Sequence, residues 1–446
     1  MVLDADHREE DNMYYFIGIK GAGMSALAQI MVSFGYQVEG SDLDKKFFTE
    51  EGLEKNNIKI NSFDENNIKE GMTIVRGLTF GEDNVEVKKA IDLGLKIYTY
   101  PAMVGKLTKK FKTICIAGCH GKTTTTSMMA KVFGDIKGSS YIIGDGTGFA
   151  DKESDLFILE SCEYRRHFLN YVPYYAVITN IDLDHVDYFE DIDDVINAYT
   201  EYANNATNMV IACGDDPYTH SLEVSKPIFF YGLNEDNDII AKDIVYKKDG
   251  TSFDVFIEEH FYGHYDLPIY GKHMLLDALA VIAVAYYERL DYKEVAKIFK
   301  EYSGAKRRFT ETVIGKSIII DDYAHHPNEV KATINAAKQK YGGKKVVAIF
   351  QPHTFSRTKE IKDDLIKELN KADISYLLDI HPSREKQEDF EEITSKLIID
   401  SLDNAYSIQM NEGNKLAVNE EAVYIFMSPN DLSEIENGLI ESLQTT

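Results

Sequence analysis

An α/β protein built of three successive blocks is the fold class that the sequence predicts, on three observations. Short apolar runs alternate with amphipathic helical stretches along most of the chain, the pattern of parallel sheets covered by helices. Glycine turns follow the leading strands of the first two blocks directly, where helices begin. The 446 residues, 44% of them apolar, can supply cores for about two to four domains.

The first block, 13–107, opens with a strand predicted over 14–19, followed by Gly18-Ile19-Lys20-Gly21-Ala22-Gly23-Met24-Ser25. Leu27, Ile30, Met31 and Phe34 then recur at helical spacing, Gly35 ends the run, and a second strand over 36–39 leads into Gly40-Ser41-Asp42. This unit is similar to a Rossmann dinucleotide fingerprint with altered glycine spacing, and Asp42 stands about where a ribose-binding acid would. A tight strand-to-helix turn that binds nothing explains the same residues.

The second block, 108–310, carries Ile116-Ala117-Gly118-Cys119-His120-Gly121-Lys122-Thr123-Thr124 between a strand over 113–116 and a helix predicted over 124–133 with Gly134 as its stop. Backbone N–H groups of such a glycine turn cradle phosphates, Lys122 reaches the terminal phosphates and the Thr123 hydroxyl suits Mg²⁺. A standard P-loop has glycine where this chain has Ile116, so the loop is short, and a glycine turn with an exposed lysine is the alternative. Further strands end at Glu160 and run into Asn180-Ile181-Asp182-Leu183-Asp184-His185. In an open parallel sheet, ligands gather beyond the carboxyl ends of the strands, so Lys122, Thr123, Glu160, Asp184 and His185 should meet at one edge. Hydroxyl and carboxylate oxygens suit a hard cation, with histidine a less usual ligand.

The third block, 311–446, alternates strands over 317–321, 345–350, 374–378 and 423–427 with helical stretches and reads as another α/β domain. Asp321-Asp322-Tyr323-Ala324-His325-His326-Pro327 follows the first of these strands and Gln351-Pro352-His353-Thr354-Phe355-Ser356-Arg357 the second. No GxSxG elbow is present, which excludes the common serine-hydrolase layout.

Composition narrows the partners. With 48 basic and 74 acidic residues the formal charge is −26, which argues against nucleic acid or an anionic membrane. No apolar stretch is long enough to span a bilayer, and the acidic start over 1–12 is no signal peptide, so a cytoplasmic location and a flexible N-terminal extension are expected. Cys115, Cys119, Cys162 and Cys213 lack CxxC spacing and read as thiols, with no zinc site foreseen.

From residue 13 onward the chain resembles the Mur ligases, and within them the alanine-adding branch. The resemblance rests on the ordered set of the Gly18 to Ser25 loop with Gly40-Ser41-Asp42, the short P-loop, Glu160-Ser161-Cys162-Glu163-Tyr164-Arg165-Arg166-His167-Phe168, Thr179-Asn180-Ile181-Asp182 with Asp184-His185, Gly304-Ala305-Lys306-Arg307-Arg308-Phe309, the run from Asp321 to Pro327, and Gln351-Pro352-His353 with Arg357-Thr358. It implies a Rossmann-like N-terminal domain for a UDP-sugar, a central P-loop ATPase domain and a Rossmann-like C-terminal ligase domain. The implied reaction joins L-alanine to the lactyl carboxylate of UDP-N-acetylmuramate through an acyl phosphate, with ATP and Mg²⁺, in a monomer or weak homodimer. A recycling ligase that adds a tripeptide to the same sugar, or a homologue impaired in turnover, are the alternatives.

The resemblance also assigns roles. Lys122, Glu160, His185, His353 and Arg357 would be catalytic, with Thr123, Glu160 and His185 holding metal. Gly118, Cys119, His120, Gly121, Lys122, Thr123, Thr124, Asp277, Arg308 and Asp322 would bind the nucleotide, and Gly18, Gly21, Ala22, Gly23, Met24, Ser41 and Asp42 the UDP-sugar. Three departures stand out. Cys119 replaces the usual P-loop threonine. Asp277 stands where asparagine is usual; ionised, it accepts hydrogen bonds but cannot donate, so adenine contacts should differ. Ser428-Pro429-Asn430 replaces a glycine-rich turn, which predicts a reshaped loop.

Overall fold

The computed structural model describes residues 13–383, 385–416 and 421–445; the extension over 1–12, expected to be flexible, lies outside them. The described residues form three sheets, the third beginning at Thr310, one residue before the block that holds the rest of it. The first is parallel, in the order Lys59–Asn61, Gln37–Ser41, Met13–Ile17, Thr73–Arg76, Lys96–Thr99. The second has ten strands, with Lys112–Ala117 between Leu156–Glu160 and Tyr175–Ile178. Its far edge is an antiparallel extension, Ile239–Lys247, Gly250–Ile257 and His260–Leu267, which the sequence reading did not foresee. The third has six strands, parallel except for the edge pair Thr310–Ile314 with Ser317–Asp322.

Local chemistry sets the helix ends. Asn84 Oδ1 accepts the N–H groups of Glu86 and Val87 at 2.9 and 3.2 Å to start Val85–Asp92. Pro327 opens Pro327–Lys340, where its missing N–H costs nothing, and Glu329 Oε2 accepts the His326 N–H at 3.2 Å. The P-loop helix differs from expectation. It runs Lys122–Lys137, straight through Gly134, and stops at Gly138, whose φ is +75°. Burial of Met128, Met129, Val132 and Phe133 carries the helix past the weak helix former at 134.

The three sheets share their cores unequally. One apolar cluster runs from Phe16, Leu27 and Ile30 of the first domain into Ala117, Phe157 and Leu159 of the second, so these two domains are fused through a common core. Phe34 stacks on Phe111, and Phe111 packs tilted against Phe157, across that seam, with centroids 5.9 and 5.7 Å apart. The two cores of the third domain contain only its own residues. It meets the rest largely through polar contacts: Arg357 with Asp184 at 2.9 Å, His120 with Glu329 at 3.4 Å, Asn328 with Asp182 at 3.1 Å, and Gln339 with the Gly271 N–H at 2.9 Å.

The loop over 428–430 is organised by a cation. Arg307 donates to the carbonyls of Ser428 and Asn430, both at 2.8 Å, and pairs with Asp321 at 3.1 Å. Three carbonyls, of Ser428, Pro429 and Asn430, turn toward one guanidinium and shape this loop.

The fused seam is tight at Gly148, where an added Cβ would collide with the Ala26 carbonyl of the first domain. Gly148→Ala is therefore expected to destabilise the protein by about 1–3 kcal/mol through overpacking; a thermal midpoint equal to that of the wild type would contradict the shared core.

Candidate functional site

The three adjacent strands Leu156–Glu160, Lys112–Ala117 and Tyr175–Ile178 are parallel, so their carboxyl ends bring the P-loop, Glu160 and the 179–185 loop to one edge. The P-loop backbone needs glycine at two points. Gly118 has φ +146° and Gly121 has φ +81°, and a Cβ on Gly121 would strike the Asp277 carboxylate. Side chains pin the rest of the loop. Asn180 accepts the His120 N–H at 2.9 Å and donates to the His120 carbonyl at 2.8 Å, joined there by the Thr179 hydroxyl at 2.6 Å. The Cys119 thiol fits where threonine is usual, its sulfur 3.0 and 3.2 Å from the Asp182 carbonyl and N–H. Helix Lys122–Lys137 starts with no side-chain cap, so its leading N–H groups, Thr124 among them, face an anion site.

Lys122 bends over this loop, donating to the Gly118 and Cys119 carbonyls and pairing with Glu163 at 3.0 Å. Burial disfavours its charge, but Glu163 and further anionic neighbours, Glu160 among them, together outweigh burial and hold the ammonium protonated well above its ordinary range. Thr123 Oγ1 donates to Glu160 Oε1 at 3.1 Å, and Glu160 Oε2 accepts the Gly144 N–H at 2.7 Å. Burial raises the Glu160 carboxyl. A hydroxyl and a carboxylate side by side at the P-loop fit a hard divalent cation such as Mg²⁺. His185 Nε2 lies 3.8 Å from Glu163 and 3.9 Å from Asp184, in a left-handed backbone conformation with φ +55°.

The third domain closes the other side. Arg357 forks onto Asp184 Oδ1 with two nitrogens at 2.9 and 3.2 Å and has a third 3.3 Å from His353 Nδ1. Burial would raise Asp184, yet the charges of His185 and Arg357 hold it well below the usual carboxylate range. Burial and then Arg357 push the His353 imidazole down to about 3, so it is neutral. A cavity of about 430 Å³ gathers Lys122, Thr123, Glu160, His185, His353, Arg357 and Arg308 from two domains, with Phe48 reaching in from the first.

A second cavity of about 540 Å³ adjoins it, lined by His120, Gly121, Asp277, Tyr302, Arg308 and Asp322 among others. Burial raises Asp277 to about 7, so near neutrality the carboxyl is half protonated and able to donate. In the sequence reading Asp277 cannot donate when ionised; its burial adds the protonated, donating form. Its Oδ1 accepts the Thr125 hydroxyl at 3.1 Å. Asp322, raised by burial to about 6, accepts the N–H groups of Ala324 at 2.8 Å and Phe309 at 2.9 Å. It thus organises the loop as well as lining the cavity.

In the first domain the glycine loop caps helix Ala22–Ser33. Gly18 donates to the Ser41 carbonyl at 2.9 Å, and Asp42 accepts the Lys20 and Leu43 N–H groups at 2.7 and 2.8 Å. Gly21 precedes the helix, Ala22, Gly23 and Met24 form its first turn, and Tyr100 packs where a Gly23 side chain would be. Ser41 is fully buried and its hydroxyl is given to Glu86, so only its backbone serves the loop surface.

Two site groups had no assigned role in the sequence reading. Glu163 is the ion-pair partner of Lys122, and nothing in its spacing marks it. Glu329 lies three residues after His326 and its Oε2 accepts the His326 N–H, but histidine is not a usual N-cap residue, so the spacing was a weak signal.

Three family descriptions match successive stretches of the chain: Mur ligase family, catalytic domain, over 13–112, the Mur ligase middle domain over 116–285, and the Mur ligase glutamate ligase domain over 307–427. The fold is similar to that of the UDP-N-acetylmuramate-alanine ligase MurC of Thermotoga maritima, with 24% identity, a TM-score of 0.82, and coverage of 97% of this chain and 100% of that one. It is similar to a murein peptide ligase of Psychrobacter arcticus at 20% identity and TM-score 0.74, covering 98% and 99% of the two chains. A MurF ligase of Thermotoga maritima in complex with ADP aligns at 17% identity and TM-score 0.64, over 86% of this chain and 97% of that one. With its P-loop, its three sheets and these matched stretches, the chain belongs to the Mur ligase family of ATP-dependent, amide-forming ligases.

Proposed function

We propose that this ligase of peptidoglycan synthesis joins L-alanine to the lactyl carboxylate of UDP-N-acetylmuramate, with ATP converted to ADP and phosphate. The observation that carries the reading is the single cavity in which Lys122, Thr123 and Glu160 face His353 and Arg357 across the domain seam. A carboxylate is a poor electrophile because its leaving group would be oxide. Phosphorylation by the ATP γ-phosphate turns that oxygen into phosphate, which leaves readily when an amine attacks, and amide formation then passes through a tetrahedral intermediate. Phosphoryl transfer asks mainly for alignment and charge neutralisation.

Each residue has a place in this scheme. The P-loop N–H groups and Lys122 hold the phosphates, while Arg308 supports them from the seam and Asp322 and Asp277 bind ribose and base. Thr123 and Glu160 would hold Mg²⁺, with His185 toward a second ion; bound there, the metal neutralises charge on the transferred phosphoryl group and orients the carboxylate. Arg357 receives the carboxylate of the incoming amino acid. His353, kept neutral, leaves the attacking amine unopposed by a second cation. The glycine loop with Asp42 holds the UDP-sugar, and closure of the third domain excludes water from the acyl phosphate.

Attachment of a tripeptide to the same sugar is the second reading, favoured by the likeness to the murein peptide ligase over nearly the whole chain. Phosphate release with ATP, Mg²⁺ and UDP-N-acetylmuramate separates the two. Fastest release with L-alanine among alanine, glycine, serine and tripeptide, with the amide product seen by mass, is the expected result. Preference for the tripeptide would assign the recycling reaction, and no release with any acceptor would leave a homologue impaired in turnover.

Lys122→Ala should lower turnover at least roughly a hundredfold while the dissociation constant for the UDP-sugar stays unchanged; loss of sugar binding in the same variant would contradict the division of labour between domains. Because Asp277 titrates near 7 and donates only when protonated, ATP affinity should fall roughly tenfold between pH 6 and pH 8. Asp277→Asn should bind ATP more tightly at pH 8 and remove that component; calorimetry that finds parallel pH profiles for the two proteins would rule it out.

A further inference from the structure

Beside the nucleotide cavity, and apart from Thr123 and Glu160, three side chains from three segments converge: His120 of the P-loop, Asp182 of the loop after strand Tyr175–Ile178, and His326 at the start of helix Pro327–Lys340. One ligand atom from each lies within 4.8 Å of the other two. A tetrahedral shell with bonds of about 2.0–2.1 Å has edges of roughly 3.4 Å, so side-chain movement of about an ångström closes the group around one ion.

Two details point to a ligand. His326 Nδ1 is buried with no hydrogen-bond partner among the described residues, His326 being only 7% exposed, and the buried His120 Nε2 has only a long ion-pair contact with Asp182 Oδ2 at 3.5 Å. An orphaned ring nitrogen in such a place is costly. The surroundings also match those of metal-bound histidine and carboxylate. His120 Nδ1 faces Glu329 Oε1 at 3.4 Å, the outer carboxylate that fixes the tautomer presenting Nε2 to a metal, and Asn328 Nδ2 steadies Asp182 Oδ2 at 3.1 Å. The His120 and His326 rings are tilted against each other with centroids 4.6 Å apart.

We propose that His120, Asp182 and His326 form a site for a borderline divalent transition metal of the zinc type, clipping the P-loop to the C-terminal domain. Two imidazoles and one carboxylate select Zn²⁺, Co²⁺ or Ni²⁺ over Mg²⁺ and leave a fourth position open to water or to a nucleotide oxygen from the adjoining cavity. A proton shared between His120 and Asp182 satisfies one ring nitrogen. A metal ion satisfies both.

The test is Co²⁺ titration of the full chain in excess Mg²⁺, read by the visible absorption of four-coordinate cobalt. One equivalent should bind the wild type. His326→Phe keeps a ring against His120 and removes the nitrogen; it and Asp182→Asn should each weaken binding at least roughly tenfold, with unchanged circular dichroism. His185→Ala should leave the signal intact, and Zn²⁺ should raise the melting temperature of the wild type but not of His326→Phe. An absent band in the wild type, equal binding by His326→Phe, or loss of the band in His185→Ala would overturn the assignment.

Discussion

Glu329 is a carboxylate whose side chain is only 12% exposed, and it ionises because it is surrounded. Burial alone would raise its pKa, but His325, His120 and Arg308 hold it well below the usual carboxylate range, and the N–H groups of His325 and His326 donate to it at 3.0 and 3.2 Å. Its partners come from both sides of the cleft. His120 belongs to the P-loop, whereas Arg308 and the two histidines belong to segments leading into and through the third domain. Taking such a charge out of water is costly unless every partner is in place. The position of the third domain and the shape of the nucleotide site are therefore one problem, solved by one group.

That arrangement explains the unequal division of the apolar cores. The first two domains share a core, so the glycine loop of the first is held in a fixed relation to the P-loop of the second. The third domain keeps its own cores and is joined by ion pairs and hydrogen bonds. Polar contacts can part and re-form in water at small net cost, whereas opening an apolar seam exposes surface at about 25 cal/mol per Å². A ligase that must admit three substrates and then exclude water needs a seam of the first kind on one side of its site.

Much of this was legible in the sequence because strand-end loops carry chemistry in α/β folds. The three-sheet α/β architecture, the strand before the P-loop and the meeting of Glu160 with Thr123 follow from patterning and from the rule that ligands gather at strand carboxyl ends. What was not legible depended on burial. The helix runs on past Gly134 because its apolar face is enclosed on the way to Gly138. Asp277 reads in the sequence as an acceptor that cannot donate when ionised, and only its enclosure lifts it to about 7. Ser41 looked like a ligand group, but its hydroxyl turns inward to Glu86. The convergence of His120 and His326, 206 positions apart in the sequence, has no local signature at all.

The central claim is chemical: the sugar carboxylate is activated by taking a phosphoryl group from ATP in the cavity that Lys122 and Arg357 share. It is tested most directly by following ¹⁸O from the carboxylate of labelled UDP-N-acetylmuramate into the products during turnover with L-alanine. Transfer through an acyl phosphate predicts one labelled oxygen in each phosphate released. Phosphate that emerges unlabelled while amide forms would contradict it.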